Sequence, residues 1–213
     1  MTESQWDKLL KIKTTGRDDS KSNQYNYPYE PTPYEVLERL SGSGYISRKN
    51  VLLDYGCGKG RACYYLSWQC RCRCIGVEYD DRIFKAMVKN RKTAVSASLV
   101  EPVHIKAEKY DLPAVVDRVF FFNPFSVEIL QGIMEKILES WYNKPREILL
   151  FFYYPSDEYV AWLMSVHELM FLDEIDCSDL FHSNSRRERI MVFVIEERET
   201  GDGSLSPFTR RRK

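Results

Sequence analysis

An excess of charge of either sign is missing from this chain: Lys and Arg together number 31, and Asp and Glu together 31, among 213 residues. The net charge therefore supplies no field that would draw the protein onto a phosphate backbone, so nucleic acid is not favoured as a partner. Long apolar runs are missing as well. Nothing approaches the roughly 20 apolar residues of a membrane helix, and the N-terminus lacks the charged, apolar, then small pattern of a leader. A cytoplasmic protein with no membrane partner is expected. Histidine is scarce, and His104, His167 and His182 fall at no metal-ligand spacing. The cysteines Cys70, Cys72 and Cys74 run C-x-C-x-C instead of the paired C-x₂-C of zinc folds, so they read as small side chains entering a strand, and no metal is expected. No internal repeat is visible.

What is present is an ordinary globular composition, 44% hydrophobic and 29% charged, on a length that suits one domain. Near the N-terminus Trp6, Leu9, Leu10 and Ile12 stand at roughly helical spacing and predict a short helix or lid. The stretch from Tyr25 to Tyr34, YNYPYEPTPY, is extended because its prolines forbid regular helix. Thr32 as N-cap, Pro33 at the first helical position and Glu35 then start a helix that Ser41-Gly42-Ser43-Gly44 ends.

From Asn50 onward, short apolar runs alternate with amphipathic segments, the signature of βαβ units and a mostly parallel sheet. Strands are predicted at 51–53, 74–79, 103–107, 119–122 and 148–154, with helices at 60–68, 81–92, 127–141 behind a possible Ser126 cap, and 157–168. Two last strands, near 170–175 and 190–196, have no helix between them and should pair antiparallel. The fold class expected is α/β: a Rossmann-like seven-stranded, mostly parallel sheet with a C-terminal antiparallel strand pair and helices on both faces. The domain spans 25–199, with residues 1–24 an N-terminal extension that is a lid or disordered, and 200–213 a basic disordered tail.

The strongest local signal is Val51-Leu52-Leu53-Asp54-Tyr55-Gly56-Cys57-Gly58-Lys59-Gly60, a strand running into a glycine-rich turn and then a helix. Glycines remove side chains where backbone must turn sharply and lie against a ligand, and open α/β sheets bind ligands at this strand edge. The spacing is G-x-G-x-G, not the G-x-G-x-x-G of dinucleotide enzymes, and Asp54 precedes it. A diphosphate avoids a nearby carboxylate, whereas a cationic aminoacyl-sulfonium ligand accepts one. Glu78, 24 residues beyond Asp54 at the end of the second strand, can take hydrogen bonds from ribose hydroxyls. A nicotinamide oxidoreductase is disfavoured by the same features.

These residues, D-Y-G-C-G-K-G followed by G-V-E-Y-D, resemble the first two motifs of class I S-adenosylmethionine-dependent methyltransferases, and the resemblance covers about residues 25–197. It implies S-adenosyl-L-methionine as cofactor, held by Gly56, Cys57, Gly58 and Gly60 through backbone, with Asp54 behind them, Glu78 on the ribose and Tyr79 beside the adenine. Glu108 stands where such enzymes often place an acid against the adenine amino group, although a solvated loop carboxylate is the open alternative. Tyr29 and Thr32 resemble the entry loop of the non-SET histone lysine methyltransferases, which closes over the methionine end.

The fourth strand ends in Phe122-Asn123-Pro124-Phe125, at the same sheet edge. It resembles the N-P-P-F/Y motif of amino-group methyltransferases, with one proline missing. By that resemblance Asn123 and the Pro124 carbonyl accept protons from the target nitrogen and Phe125 stacks on it. The alternative is that Asn123 caps the next helix and Phe125 belongs to the core. Tyr153 and Tyr154 after the fifth strand could wall the same pocket, and His182 on the last loop could reach substrate. The function expected is methyl transfer to an amine of a protein or small molecule; the competing reading is a non-catalytic sensor or scaffold that binds the same cofactor.

Overall fold

In the computed structural model of the chain, the described residues are 1–16, 29–123, 125–181 and 185–196. Pro124, His182 and the tail expected from residue 200 lie outside them, as do residues 17–28. The elements run α1 (Glu3–Leu10), α2 (Tyr34–Gly42), β1 (Val51–Tyr55), α3 (Arg61–Cys70), β2 (Arg73–Glu78), α4 (Asp81–Arg91), β3 (Val100–His104), β4 (Arg118–Phe121), α5 (Val127–Asn143), β5 (Leu149–Tyr153), α6 (Asp157–Leu163), β6 (Leu169–Asp176) and β7 (Arg189–Ile195). The seven strands form one sheet in the order β3-β2-β1-β4-β5-β7-β6. Pairing is parallel from β3 through β5, and β7 runs antiparallel to both β5 and β6. The Rossmann-like class expected from the alternation of runs is the one observed.

Period-two alternation in the strands sends side chains to two cores. Leu52, Phe120, Phe151 and Tyr153 join one face beneath α1, α2 and α3, while Leu53, Tyr55, Phe121 and Phe152 join the other beneath α5 and α6. The chain order reverses between β1 and β4, so the loops after these two strands diverge and leave a crevice at their carboxyl ends. Both the glycine turn and the Phe122-Asn123 corner open there.

Several expected boundaries move. β3 begins at Val100 and ends at His104, three residues before the predicted span of 103–107. Pro102 can sit in this strand because β3 is the sheet edge, where a missing N–H costs no ladder bond. Helix α6 stops at Leu163 instead of continuing to 168, since the Ser165 N–H and hydroxyl both turn back to the Trp162 carbonyl before β6. Cys70 closes α3, so only Cys74 of the C-x-C-x-C run lies in a strand.

The start of α2 is also corrected. Pro33, not Thr32, takes the cap position, and no local side chain caps it. The Tyr34 N–H instead donates to Glu3 Oε1 at 3.1 Å, so the first helix of the chain supplies the cap of the second. Within the stretch read as an extension, Trp6, Leu10 and Ile12 are buried in the same core as α2 and α3.

Candidate functional site

The glycine turn is fixed to β2 before it reaches any ligand. The Gly56 and Cys57 N–H groups both donate to the Val77 carbonyl, at 2.9 and 3.0 Å, and Gly56 takes a left-handed φ of 73°. The Gly58 N–H then donates to Glu78 Oε2 at 3.0 Å. On the other oxygen, Glu78 Oε1 accepts the Tyr79 and Asp80 N–H groups at 2.9 and 2.8 Å. Of roughly four lone-pair positions on a carboxylate, three are thus filled by backbone, which leaves about one for a ligand hydroxyl. Burial pushes the Glu78 carboxyl above its ordinary pKa despite these three donors.

Asp54, the fourth residue of β1, is buried under the turn, and the Cys63 thiol donates to its Oδ2 at 3.5 Å. Burial, then the neighbouring Cys63 and Glu78, raise its pKa well above the usual carboxylate range. A carboxylate so placed gains most from a cation brought in by a ligand.

These groups line a cavity of about 680 Å³, a volume within the usual range for small-molecule sites. Its wall includes Tyr29, Thr32, Asp54, Gly56, Cys57, Glu78, Tyr79, Asn123 and Phe125, nine of the residues singled out in the sequence. Glu108 lies elsewhere, on a short 3₁₀ turn at 107–109 with the Lys106 ammonium 4.0 Å away, and it does not border the cavity. Gly58 and Gly60 do not border it either. A Cβ on Gly58 would stand 2.3 Å from the Tyr29 ring, and one on Gly60 would stand 2.8 Å from Tyr64 and 3.0 Å from Met87. At both positions the missing side chain makes room for protein neighbours.

Tyr29 closes over the turn. Its hydroxyl donates to the Thr14 carbonyl at 2.7 Å, and the Lys59 ammonium stands 4.6 Å above its ring. Asn123 turns the corner after β4 with a φ of 38°, and its Oδ1 is buried with no hydrogen-bond partner among the described residues. The helix after it is capped in position by Ser126, so Asn123 does not serve that role. Phe125 is 4% exposed and packed in the α5 core while bordering the cavity, and the Tyr159 hydroxyl holds its carbonyl at 2.7 Å.

Beyond Asn123 the wall is aromatic and acidic. The Phe122 and Tyr153 rings lie 4.7 Å apart and those of Tyr153 and Tyr154 6.1 Å apart. The Tyr153 hydroxyl donates to Glu188 Oε2 at 2.8 Å; burial and that carboxylate raise the phenol's pKa.

Sequence reasoning missed Glu188, Phe181 and Arg61 on this wall. No pattern marks the first two, which reach the site through the fold. A signal did exist for Arg61: a cation in the first turn of a helix opposes the macrodipole and needs a reason to be there.

No protein-family profile matches the chain, and no curated protein matches it by sequence. Solved structures do match. An RNA methyltransferase from Salinibacter ruber in complex with S-adenosyl-L-homocysteine is 19% identical over 83% of this chain and 100% of its own, with a TM-score of 0.53. A dimethyladenosine transferase from Plasmodium falciparum is 15% identical over 85% of this chain and 67% of its own, with a TM-score of 0.55. The mitomycin 7-O-methyltransferase is 12% identical over 75% of this chain and 53% of its own, with a TM-score of 0.58. The fold is that of the class I, Rossmann-like methyltransferases. Among the described residues, no helix is long and apolar enough to cross a membrane.

Proposed function

We propose that the protein is an S-adenosylmethionine-dependent methyltransferase that acts on an amine nitrogen of a protein or small molecule. The observation that carries this reading is the convergence of Asp54, Glu78 and Asn123, from the ends of three adjacent strands, on one cavity beside the glycine turn. Donor and acceptor chemistry suits the cofactor from end to end: Glu78 keeps a position for a ribose hydroxyl, and the buried Asp54 suits an ammonium. When bound, the cofactor supplies a methyl group on a sulfonium sulfur. An acceptor nitrogen would take that methyl, its lone pair forming the N–C bond as the C–S pair goes to sulfur, and would then lose a proton to solvent.

The residues of this chain are asked mainly for alignment, which can contribute about 7–11 kcal/mol to such a displacement. Asn123 Oδ1, buried without a partner among the described residues, would accept an N–H of the acceptor and so turn its lone pair toward the methyl carbon. Pro124 and Phe125 stay in this reading as carbonyl acceptor and stacking ring, with Phe122 and Tyr154 as further aromatic surface.

An amine suits the wall better than a phosphate chain does. Six carboxylates and three guanidiniums border the cavity, and aromatic faces attract cations. Two of the matched structures are named for RNA or adenosine substrates, so the test must separate these acceptors. Donor carrying a tritiated methyl is incubated with the protein and with cell extract divided into protein, nucleic-acid and small-molecule fractions. Label on protein or small-molecule amines is expected. Label confined to nucleic acid would overturn the amine reading, and formation of no demethylated cofactor with any fraction would favour a sensor.

A further inference from the structure

Beyond Asn123 the cavity wall comes from residues at or beside the ends of β4, β5 and β7. Among the described residues, positive φ outside glycine occurs at Lys11 and Arg71, which end α1 and α3, and at Asn123 and Tyr154, which lie just past β4 and β5. Left-handed helix ends are ordinary. The other two border the cavity, and a bulky ring at a φ of 53° is an uncommon backbone, held here by the Tyr154 N–H donating to the Arg189 carbonyl at 3.0 Å. The Glu188 carbonyl also accepts the Cys177 N–H at 2.8 Å. Backbone bonds from beside β5 and β6 thus fix the start of β7, and with it Glu188.

Glu188 brings charge to an aromatic wall. Its Oε2 accepts the Tyr153 hydroxyl at 2.8 Å, which fills one of roughly four lone-pair positions on a carboxylate. The Phe122 and Tyr154 rings flank that of Tyr153 at 4.7 and 6.1 Å, and Glu158 in the first turn of α6 adds a second acid. Arg187, 6.0 Å over the Tyr154 ring, opposes them. Two acids and three rings against this guanidinium favour a cation in the ligand. That cation is not the reacting nitrogen. A nitrogen that attacks a methyl carbon needs a free lone pair, whereas a carboxylate beside an amine holds it protonated. The uncharged Asn123 amide leaves its partner neutral, so the two receptors ask for different nitrogens.

From this division we propose that the acceptor is a diamine, with one nitrogen at Asn123 and the other, as an ammonium, on Glu188 among the Phe122, Tyr153 and Tyr154 rings. The inference rests on the proposed methyl transfer and narrows its amine to one that carries a second positive charge.

The test titrates the intact chain, saturated with S-adenosylhomocysteine, with straight-chain diamines from diaminopropane to diaminohexane and with monoamines of the same lengths, followed by ligand-observed NMR. An ammonium on a carboxylate flanked by rings contributes about tenfold in affinity, so at least one diamine should bind about tenfold more tightly than its monoamine. Other acids of the cavity also attract cations. Glu188→Gln, which still accepts the Tyr153 hydroxyl, should therefore weaken that diamine about tenfold and keep the monoamine and S-adenosylhomocysteine within about threefold. A preference that survives in Glu188→Gln, or no preference for any diamine in wild type, overturns the proposal.

If Glu188→Gln fails to fold, unaltered protein decides the matter through amino alcohols of the same lengths, whose second group is neutral. Binding about tenfold weaker than the diamines supports the second charge, and equal affinity overturns it. Wild type that does not bind S-adenosylhomocysteine strikes the proposed cofactor, whereas bound S-adenosylhomocysteine without a diamine preference strikes this inference alone.

Discussion

A carboxylate sealed beneath the glycine turn costs the ligand-free protein stability, because burial disfavours its charged form. Asp54 ionises at its ordinary value of 3.8 when unfolded and well above that when folded. The unfolded chain therefore gives up this proton first, and stability is lost as pH rises from the ordinary value through the folded one. Asp54→Asn should raise the midpoint of thermal unfolding at neutral pH while weakening S-adenosylhomocysteine about tenfold or more. A lowered midpoint with unchanged affinity would contradict this. The same linkage makes binding of an ammonium release a proton, so affinity should increase with pH across that window, which calorimetry in two buffers of different ionisation enthalpy measures.

Asn123 combines a left-handed backbone with an amide oxygen that has no partner among the described residues, two costs that a reacting site explains. With the labelled acceptor fraction in hand, Asn123→Ala should lower kcat about 10- to 100-fold, with a smaller change in cofactor affinity. Equal turnover by the variant would remove its orienting role. The acid before the glycines and the one closing β2 are readable from the sequence because each stands at or next to the end of a strand that is itself readable. Arg61 announces itself only as a cation out of place in a first turn; its partners Glu3, Thr14 and Thr32 come from segments whose docking no local pattern encodes.

At the scale of elements, α1 is held by aromatic contact. The Trp6 ring lies 5.6, 5.2 and 5.9 Å from those of Tyr34, Tyr65 and Trp68. Asp7, buried behind it, accepts the Tyr34 hydroxyl and the Thr14 N–H, both at 2.6 Å. Trp6→Ala should destabilise by about 3–5 kcal/mol, which denaturant unfolding measures. A loss below about 1 kcal/mol would mean that α1 is not part of the core. The helical spacing of Trp6, Leu9 and Leu10 announces this helix, yet Leu9 is 44% exposed, since the helix ends at Leu10 and the buried face turns through Trp6 and Asp7. The glycine turn teaches a similar lesson. Spacing locates it, but Gly60 exists for Tyr64 and Met87, so Gly60→Ala, at a φ of 87°, should cost about 1–3 kcal/mol of stability. An unaltered unfolding midpoint would contradict that packing role.

Over the whole molecule, β1, β2, β4 and β5 are legible because parallel strands buried on both faces read as short continuous apolar runs. The order of the seven is less so: that β7 slips between β5 and β6 follows from pairing across the sheet, which no local run encodes. The strand order matters for function because it puts β1 and β4 side by side, and with them the glycine turn and Asn123. Everything proposed for the site requires that this crevice bind the adenosyl amino acid. Thermal unfolding of the intact chain with S-adenosylhomocysteine tests that most directly. At 100 times its dissociation constant a ligand contributes about 2.7 kcal/mol, so the midpoint should rise by about 5–10 °C. A midpoint that stays unmoved up to millimolar ligand would contradict the assignment of the cavity.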